Sequence, residues 1–414
     1  MTHSIEVNGE RLWSSLMEMA NIGATEAGGC NRQALTDQDK QGRDLFCGWC
    51  VAAGCRIQID KMGNIFAIRP GRNNSSPVVM TGSHLDTQPT GGKFDGVFGV
   101  LAGLEVVRRL NNLQFETEAP IAVCVWTNEE GARFSPAMIG SGVWCGEFDI
   151  SYGRSRTDKS GRTLGDELER IGYLGEHGIR PNFVKAYFEA HIEQGPILEE
   201  KGCQIGVVEG VQGIHWYDLT VTGKPAHAGP TPMESRRDPV MALPLILNGL
   251  YALAREFSPW ARVTFGDLSA VPGSRNTVPE SVTLAIDLRH PEQGLLDDME
   301  ERLNKLAAQV CEKFDLGHRI KTEWKSSAVR FDRHCFEAVK KAADVLKYSN
   351  MKMVSGAGHD AVYVSRVTPT AMIFIPCEGG ISHNEAENIK MHDAVAGANV
   401  LLNAVVSVAN GANE

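Results

Sequence analysis

Five side chains of the types that bind metal ions lie at or just after the ends of predicted strands. His84 ends the apolar segment VVMTGSH, and Asp95 lies at the mouth of the apolar helix GVFGVLAGLEVVRRL, after a glycine-rich turn. Glu130 follows the apolar segment PIAVCVW, His191 ends YFEAH, and His383 lies on a turn after TAMIFIP. In open α/β sheets, ligands bind at the carboxyl edge of the strands. We therefore expect these five residues to meet at one edge of a sheet.

Such a set of imidazoles and carboxylates offers the donors that borderline divalent ions prefer. Two ions about 3.5–4 Å apart that share one carboxylate can activate a water molecule and polarise a carbonyl group. Glu129, adjacent to Glu130, is then free to act as a general base. Asp86, two residues after His84, is expected to accept the second imidazole N–H and to fix the tautomer. A lone histidine beside a glycine-rich loop is more often only a hydrogen-bonded loop residue, so the metal hypothesis depends on the whole set.

The elements that must position these residues alternate between strands and helices, as in an α/β fold. Amphipathic helices are predicted over 5–20 and 36–54, and Thr36 is a plausible N-cap for the second. Short strands are predicted over 56–59 and 64–69 before the strand that ends at His84. A helix at 335–348, a glycine-rich turn at 353–360, a buried strand at 370–376 and a final helix at 393–409 complete the prediction.

The pattern changes in the middle of the chain, where apolar and polar residues alternate as in half-exposed strands. Alternating strands are predicted over 214–222, 261–269, 282–289 and 318–325, with long helices over 237–256 and 291–314. This β-α-β-β-α-β order is that of a ferredoxin-like sheet with helices on one face. The prediction is a discontinuous first domain, 1–212 with 330–414, and an inserted domain, 213–329.

Composition is typical of an acidic globular protein. The 414 residues carry a net charge of −10, which argues against nucleic acid or an anionic membrane as a partner. The ten cysteines show no disulfide framework and no signal peptide is evident, so a cytoplasmic location with reduced thiols is expected. Cys47 and Cys50 form a C-x-x-C, but a helix carrying small apolar thiols explains them better than a redox or metal site. The longest apolar stretch, near 240–254, is too short to span a bilayer.

The motifs also resemble a known enzyme family. GSHLDT, GGKFDG, NEEGARF, HIEQG, GKPAHAGPTPM, NTVPE, DLRHP, SGAGHD and GISHN occur in this order. They are similar to those of the carbamoylase branch of the dinuclear metallohydrolases related to aminoacylases and carboxypeptidases. That branch includes N-carbamoyl-L-amino acid hydrolases, β-ureidopropionases and allantoate amidohydrolases. The resemblance implies a mixed-sheet α/β dinuclear metallohydrolase domain with an inserted ferredoxin-like α+β lid and dimerisation domain.

The resemblance also implies how the metal ligands divide. Asp95 would bridge two divalent ions per subunit, either Zn²⁺ or Mn²⁺, Co²⁺ or Ni²⁺. His84 and His191 would complete one site, and Glu130 and His383 the other. His191 stands where the aminoacylase and carboxypeptidase relatives have a carboxylate. The peptide bond that follows Asp95 is expected to be cis, which would aim one carboxylate at two ions.

Six positions match the substrate-binding residues of the family. Arg289 suits a substrate carboxylate because its planar fork binds carboxylates bidentately. Gln194 and Asn276 offer both donors and acceptors for a ureido group. His227 would donate to the developing oxyanion and, in a homodimer, would reach the active site of the partner subunit. The implied set is Gln194, His227, Asn276, Arg289, Gly358 and His359.

These observations predict a cytoplasmic, homodimeric amidohydrolase with Glu129 as the base. It would hydrolyse the N-carbamoyl group of an L-amino acid or of β-alanine to the free amino acid, CO₂ and ammonia. An allantoate amidohydrolase is the alternative within the family. A non-catalytic metabolite-binding dimer on the same scaffold is the alternative from a different class, although an intact base argues against it.

Overall fold

The computed structural model describes residues 4–411, which divide into two compact units. The first unit comprises Met1–Glu209 and Phe331–Glu414, and the second comprises Gly210–Arg330. Each unit has its own buried apolar core.

The helices of the described residues are, in chain order, α1 (Gly9–Ala20), α2 (Asp37–Ala52), α3 (Val97–Asn112), α4 (Ile139–Cys145), α5 (Ile150–Arg154), α6 (Leu164–Ile171), α7 (Ile197–Lys201), α8 (Leu243–Glu256), α9 (Gln293–Lys313), α10 (Arg333–Val345), α11 (Asp360–Val364) and α12 (Met391–Ala409). The strands are β1 (Arg56–Ile59), β2 (Ile65–Arg69), β3 (Val78–His84), β4 (Ile121–Trp126), β5 (Val184–Ile192), β6 (Ile205–Val211), β7 (Gly213–Thr222), β8 (Ala226–His227), β9 (Arg262–Val271), β10 (Thr277–Val278), β11 (Ser281–His290), β12 (Gly317–Ser326), β13 (Val329–Arg330), β14 (Asn350–Ser355) and β15 (Thr370–Ile375).

The first unit is built on a mixed sheet with the order β1-β2-β4-β3-β5-β15-β6, and β14 also pairs with β6. Strand β3 is parallel to β4 and β5, and β15 is parallel to β5. The outer pairs β1/β2, β2/β4 and β15/β6 are antiparallel. The parallel strands are buried along almost their whole length, as expected when both faces of a sheet are covered. The predicted α/β class with a mixed sheet is confirmed.

Helix α12 is long and apolar enough to cross a membrane by length and composition, and it is longer than the apolar stretch near 240–254 that the sequence pattern suggested. In the structure, 67% of its apolar window is buried within the protein. It packs against α1, α3, α10 and strand β15, and it contributes many residues to the core of the first unit. Here α12 is therefore a core helix.

The second unit has the predicted ferredoxin-like arrangement. Its chain order is β7-α8-β9-β11-α9-β12, and its antiparallel sheet has the order β12-β7-β11-β9. Helices α8 and α9 pack on one face, where the alternating apolar residues of β7 and β11 are buried. Strands β8 and β10 form a separate two-stranded ladder, which the sequence pattern does not reveal.

Several helix boundaries differ from the predictions for identifiable reasons. Helix α1 begins at Gly9 because the side chain of Asn8 accepts a hydrogen bond from the N–H of Arg11 and caps the first turn. Helix α8 begins only at Leu243, after a short 3₁₀ turn at Pro239–Ala242. Thr36 caps α2 as predicted, by accepting the N–H of Asp39. The predicted turn at 353–360 overlaps strand β14. This strand is only six residues long and partly buried, so its apolar pattern is weak.

Candidate metal centre

The ends of four strands bring the five predicted metal ligands to one region of the first unit. His84 is the last residue of β3, and His191 is near the end of the adjacent parallel strand β5. Glu130 follows β4, and Asp95 precedes α3. His383 lies in the loop after β15. The parallel register explains the convergence, because the carboxyl ends of parallel strands share one sheet edge.

The two oxygens of Asp95 face two different groups of donors. Asp95 Oδ1 lies 3.1 Å from His191 Nε2 and 3.8 Å from His84 Nε2. Asp95 Oδ2 lies 3.4 Å from His383 Nε2, which is also 3.4 Å from Glu130 Oε2. Each group has ligand atoms within 4.8 Å of one another. We call them the inner group (His84, Asp95, His191) and the outer group (Asp95, Glu130, His383).

The inner group is buried, whereas the outer group opens to solvent. The side chains of His84 and His191 are 2% and 1% exposed, and that of His383 is 53% exposed. Burial lowers the pKa of His84 to about 4, which leaves a neutral imidazole able to donate a lone pair. Burial opposes the charged form of His191 as well, but its hydrogen bond with Asp95 raises the pKa of His191 to about 9.

The carboxylates of the centre repel one another. Burial, followed by the charge of Asp95, raises the pKa of Glu130 to about 8. Burial also acts to raise the pKa of Asp95, but hydrogen bonds with His191 and His383 hold it well below its usual value. Divalent cations are what such a cluster would bind, because they would compensate the carboxylate charge and displace the protons. The donor types and their spacing therefore fit two ions that share Asp95.

Backbone carbonyl groups orient both inner imidazoles, and this corrects the role expected for Asp86. The Nδ1–H of His84 donates to the backbone oxygen of Asp86 at 2.9 Å, whereas the nearest Asp86 carboxylate oxygen is 4.0 Å away. His191 Nδ1 contacts the backbone oxygen of Ile192 in the same way. Either contact leaves Nε2 free for a metal. The tight turn after β3 brings the Asp86 carbonyl group, rather than its side chain, to the ring.

The Asp86 carboxylate instead supports the loop that carries both glutamates. Its two oxygens accept the backbone N–H groups of Glu129 and Glu130, each at 3.2 Å. Glu129 Oε2 lies 3.5 Å from His84 Nε2, at the inner group. Burial, followed by the charge of Asp360, raises the pKa of Glu129 well above its usual value. A buried carboxylate beside the donor set has the position that a general base requires.

The expected cis peptide after Asp95 is wrong. Among the described residues, the cis bonds all precede prolines, so the Asp95–Gly96 bond is trans. The turn is made instead by Gly96, whose φ is 67°. A Cβ on Gly96 would lie 2.3 Å from His84 Nε2, so glycine is required both for the backbone conformation and for the space beside the ligand.

Polar residues that were not predicted from the sequence hold two of the ligands. Gln88 donates to both oxygens of Glu130. Glu387, which is 1% exposed, accepts the N–H of Asp95 and the hydroxyl of Ser382. Both lie just beyond quoted motifs, GSHLDT and GISHN, but no periodicity distinguishes them from ordinary loop residues.

Three predicted substrate residues lie in the first unit beside the donor groups. Gln194 Nε2 donates to Asp95 Oδ2 at 2.9 Å, while Gln194 Oε1 is buried without a hydrogen-bond partner among the described residues. His359, which follows Gly358, has its ring centre 4.5 Å from that of His191. Burial lowers the pKa of His359 well below its usual value.

The other three predicted substrate residues lie in the second unit, in two separate places. His227 pairs with Thr277 in the β8–β10 ladder, and Asn276 directly precedes β10. The Ala228 N–H donates to the backbone oxygen of Asn276 at 2.9 Å. His227 Nδ1 accepts the Gly229 N–H at 3.1 Å, so a neutral His227 ring carries its proton on Nε2. That tautomer is a hydrogen-bond donor.

Arg289 lies on β11, where it already has a carboxylate neighbour. Its Nε donates to Asp287 Oδ1 at 3.0 Å and its Nη2 to Asp287 Oδ2 at 2.8 Å. The two side chains are 29% and 22% exposed. The guanidinium is thus held in a bidentate pair on the open face of the sheet.

Comparison with known proteins identifies the family of the chain. The model for peptidase family M20/M25/M40 matches residues 80–407. The chain belongs to this family. The N-carbamoyl-L-amino-acid amidohydrolase of Rhizobium meliloti is 50% identical over 403 residues, covering 97% of each chain. The allantoate amidohydrolase of Escherichia coli strain K12 is 32% identical and covers 92% of this chain and 94% of its own length.

A solved structure of the family extends the likeness to three dimensions. The amidase of the hydantoinase/carbamoylase family from Burkholderia multivorans has a TM-score of 0.94 and 49% identity, covering 98% of this chain and 99% of its own. The branch of the M20 family expected from the motifs is therefore confirmed. The family is metal-dependent, in agreement with the inner and outer groups.

A further acidic group with a histidine in the second unit has a different character. His215, Asp297 and Glu300 lie close enough to hold an ion. However, Lys325 Nζ contacts both Glu300 oxygens, at 2.6 and 2.7 Å. The ammonium group of Lys325 on β12 already pairs with Glu300 on α9. This ion pair between helix and sheet accounts for the group without a metal.

Proposed function

We propose that the protein is a dinuclear metal-dependent amidohydrolase that removes the N-carbamoyl group from an L-amino acid or from β-alanine. The observation that carries the proposal is the division of Asp95, with one oxygen toward His84 and His191 and the other toward His383. The similarity to the Rhizobium meliloti N-carbamoyl-L-amino-acid amidohydrolase supports the ureido substrate. The ions would be Zn²⁺, or Mn²⁺, Co²⁺ or Ni²⁺, for which mixed imidazole and carboxylate donors are suited.

Glu129 supplies the acid–base chemistry in this proposal. Two divalent ions held by the inner and outer groups would activate a water molecule and polarise the ureido carbonyl group. Glu129 accepts the proton of the water as it attacks the ureido carbon, and then gives the proton to the nitrogen of the departing amino acid. The C–N bond to that nitrogen breaks, and the carbamic acid that remains decomposes to CO₂ and ammonia.

The residues proposed to recognise the substrate are those that the family resemblance implies. Arg289 binds the carboxylate of the amino acid, and Gln194 and Asn276 hydrogen-bond to the ureido group. His227 donates a hydrogen bond from Nε2 to the oxyanion, for which the tautomer implied by its Nδ1 contact with Gly229 is suited. Gly358 and His359 line the site beside His191.

We propose further that the enzyme is a cytoplasmic homodimer whose active sites are completed in trans. In an isologous dimer each subunit would lend His227 to its partner, so both sites gain the same residue. This arrangement follows from the family resemblance of the GKPAHAGPTPM segment.

A panel assay tests the substrate. The metal-loaded protein would be given N-carbamoyl-β-alanine, several N-carbamoyl-L-amino acids and allantoate, with release of ammonia as the readout. Turnover of N-carbamoyl amino acids supports the proposal, and turnover of allantoate alone would favour the alternative that the Escherichia coli relative represents. Binding without turnover of any of them would favour a metabolite-binding dimer.

A further inference from the structure

Gln88 contacts one proposed metal ligand, Glu130, through both its backbone and its side chain. Its backbone N–H donates to Glu130 Oε1 at 3.1 Å, and its side-chain Nε2 donates to Glu130 Oε2 at 2.7 Å. One residue thus holds both oxygens of the carboxylate, 42 positions away in the sequence. Asp95, the other proposed carboxylate ligand, differs, since the side chains of Gln194 and Ser382 both donate to its Oδ2.

The outer group needs such support more than the inner group does. His84 and His191 are buried on strands, and backbone carbonyl groups fix both rings. In the outer group His383 is half exposed on a loop, and Glu130 lies on the loop after β4.

We infer that Gln88 is a positioning residue that sets the affinity of the outer metal ion. It holds the Glu130 carboxylate beside His383, where one of its lone pairs would remain available to an ion. The inner ion depends on other residues and is bound independently of Gln88. This inference rests on the dinuclear centre of the proposed function. It adds that the affinity of only one of the two ions depends on Gln88.

Metal titration of the full chain tests the inference without reference to activity. The protein is freed of metal with a chelator, and Co²⁺ and, separately, Zn²⁺ are titrated in by calorimetry, with bound metal counted by elemental analysis. The variant is Gln88→Met, which keeps the length of the side chain and the backbone N–H but removes the Nε2 donor. The control is Gln41→Met, the same change at an exposed position of α2.

The unmutated chain and Gln41→Met should bind two ions in distinguishable steps. Gln88→Met should bind the first ion with unchanged affinity and the second about 10–100-fold more weakly, as is usual when a partner of a metal ligand is lost. Unchanged affinity for both ions, or an equal loss at both sites, would overturn the inference. Fewer than two ions on the unmutated chain would overturn the dinuclear proposal itself.

Folding is monitored separately by thermal melting of the metal-free proteins. If Gln88→Met does not fold, Gln88→Asn provides the same test, because it keeps the amide but shortens the side chain by one methylene. Selective weakening of the second ion in Gln88→Asn supports the inference. Affinities for both ions that match those of the unmutated chain, or that fall equally, contradict it.

Discussion

Asp95 and Glu387 are 292 positions apart in the sequence, yet the backbone N–H of Asp95 donates to Glu387 Oε1 at 3.1 Å. The same oxygen accepts the N–H of Phe94 at 3.0 Å, and the other accepts the hydroxyl of Ser382, the neighbour of His383, at 3.0 Å. One buried carboxylate therefore ties the loop of the shared ligand to the loop of an outer ligand. It also explains Gly92, where a Cβ would lie 2.1 Å from the Glu387 carboxylate.

Removing Glu387 should loosen both loops. We expect Glu387→Ala to lower the free energy of unfolding by about 1–3 kcal/mol, because buried N–H groups lose their acceptor. It should also weaken binding of both metal ions, since both depend on Asp95. Glu387→Gln keeps an acceptor oxygen and should retain most of both properties. Urea denaturation and metal titration measure them, and an alanine variant with the stability and affinity of the unmutated chain would contradict this role.

Glu129→Gln should keep metal and substrate binding but lose turnover. The amide preserves the shape of the side chain and removes the proton acceptor, whose contribution to rate is typically on the order of 10²–10⁴. Initial rates of ammonia release and metal counts on the same preparation measure the two effects. Activity near that of the unmutated enzyme would exclude Glu129 as the base.

Arg289→Lys should act mainly on substrate binding. Lysine lacks the planar fork, so it cannot pair with Asp287 and also offer directed donors to a substrate carboxylate. KM for carboxylate substrates should therefore rise with a smaller change in kcat. Arg262→Lys, at the facing position of β9, is the matched control. An unchanged KM for every carboxylate substrate would show that Arg289 does not hold the carboxylate.

Complementation tests whether His227 acts in trans. Glu129→Gln and His227→Ala homodimers should each be nearly inactive. In a heterodimer of the two, one site combines the intact Glu129 of one chain with the intact His227 of the other, and the second site carries both changes. Co-expressed, doubly tagged heterodimers should regain activity at up to one working site per dimer. Verified heterodimers as inactive as their parents would assign His227 to its own subunit or to no catalytic role.

Glu167 provides a pH-dependent test of stability away from the metal centre. Its side chain is 3% exposed, and it forms ion pairs with three arginines: Arg133, Arg162 and Arg170. Burial opposes its charge, but these arginines lower the pKa of Glu167 from 4.5 to about 2. Because the folded pKa is the lower one, the stabilisation is present above about pH 4.5 and is lost as the pH falls toward 2.

We therefore expect Glu167→Gln to reduce the free energy of unfolding by about 1–3 kcal/mol at pH 7, with a smaller difference at pH 3. Urea denaturation of both proteins at several pH values measures the difference. Glu169→Gln, at an exposed glutamate of the same helix, is the control. A difference that does not shrink with acidification would assign the effect to packing rather than to charge.

The sequence by itself determined the family, the α/β class and the residues able to bind metal. Buried parallel strands require continuous apolar runs, and ligands at strand ends occur in fixed motifs. Both features can therefore be recognised in short segments of the sequence. The β-α-β-β-α-β order of the second unit was readable for the same reason, because side-chain alternation follows directly from strand geometry.

Only the tertiary structure decided which groups hold those ligands. Gln88 and Glu387 act on residues 42 and 292 positions away, and no local pattern encodes such a partner. The role expected for Asp86 failed because a turn can present either a carbonyl group or a carboxylate to the same ring. The expected cis bond failed because Gly96 makes the turn with a positive φ instead. Such choices depend on how distant chain segments pack, and that packing determines which donor reaches which oxygen.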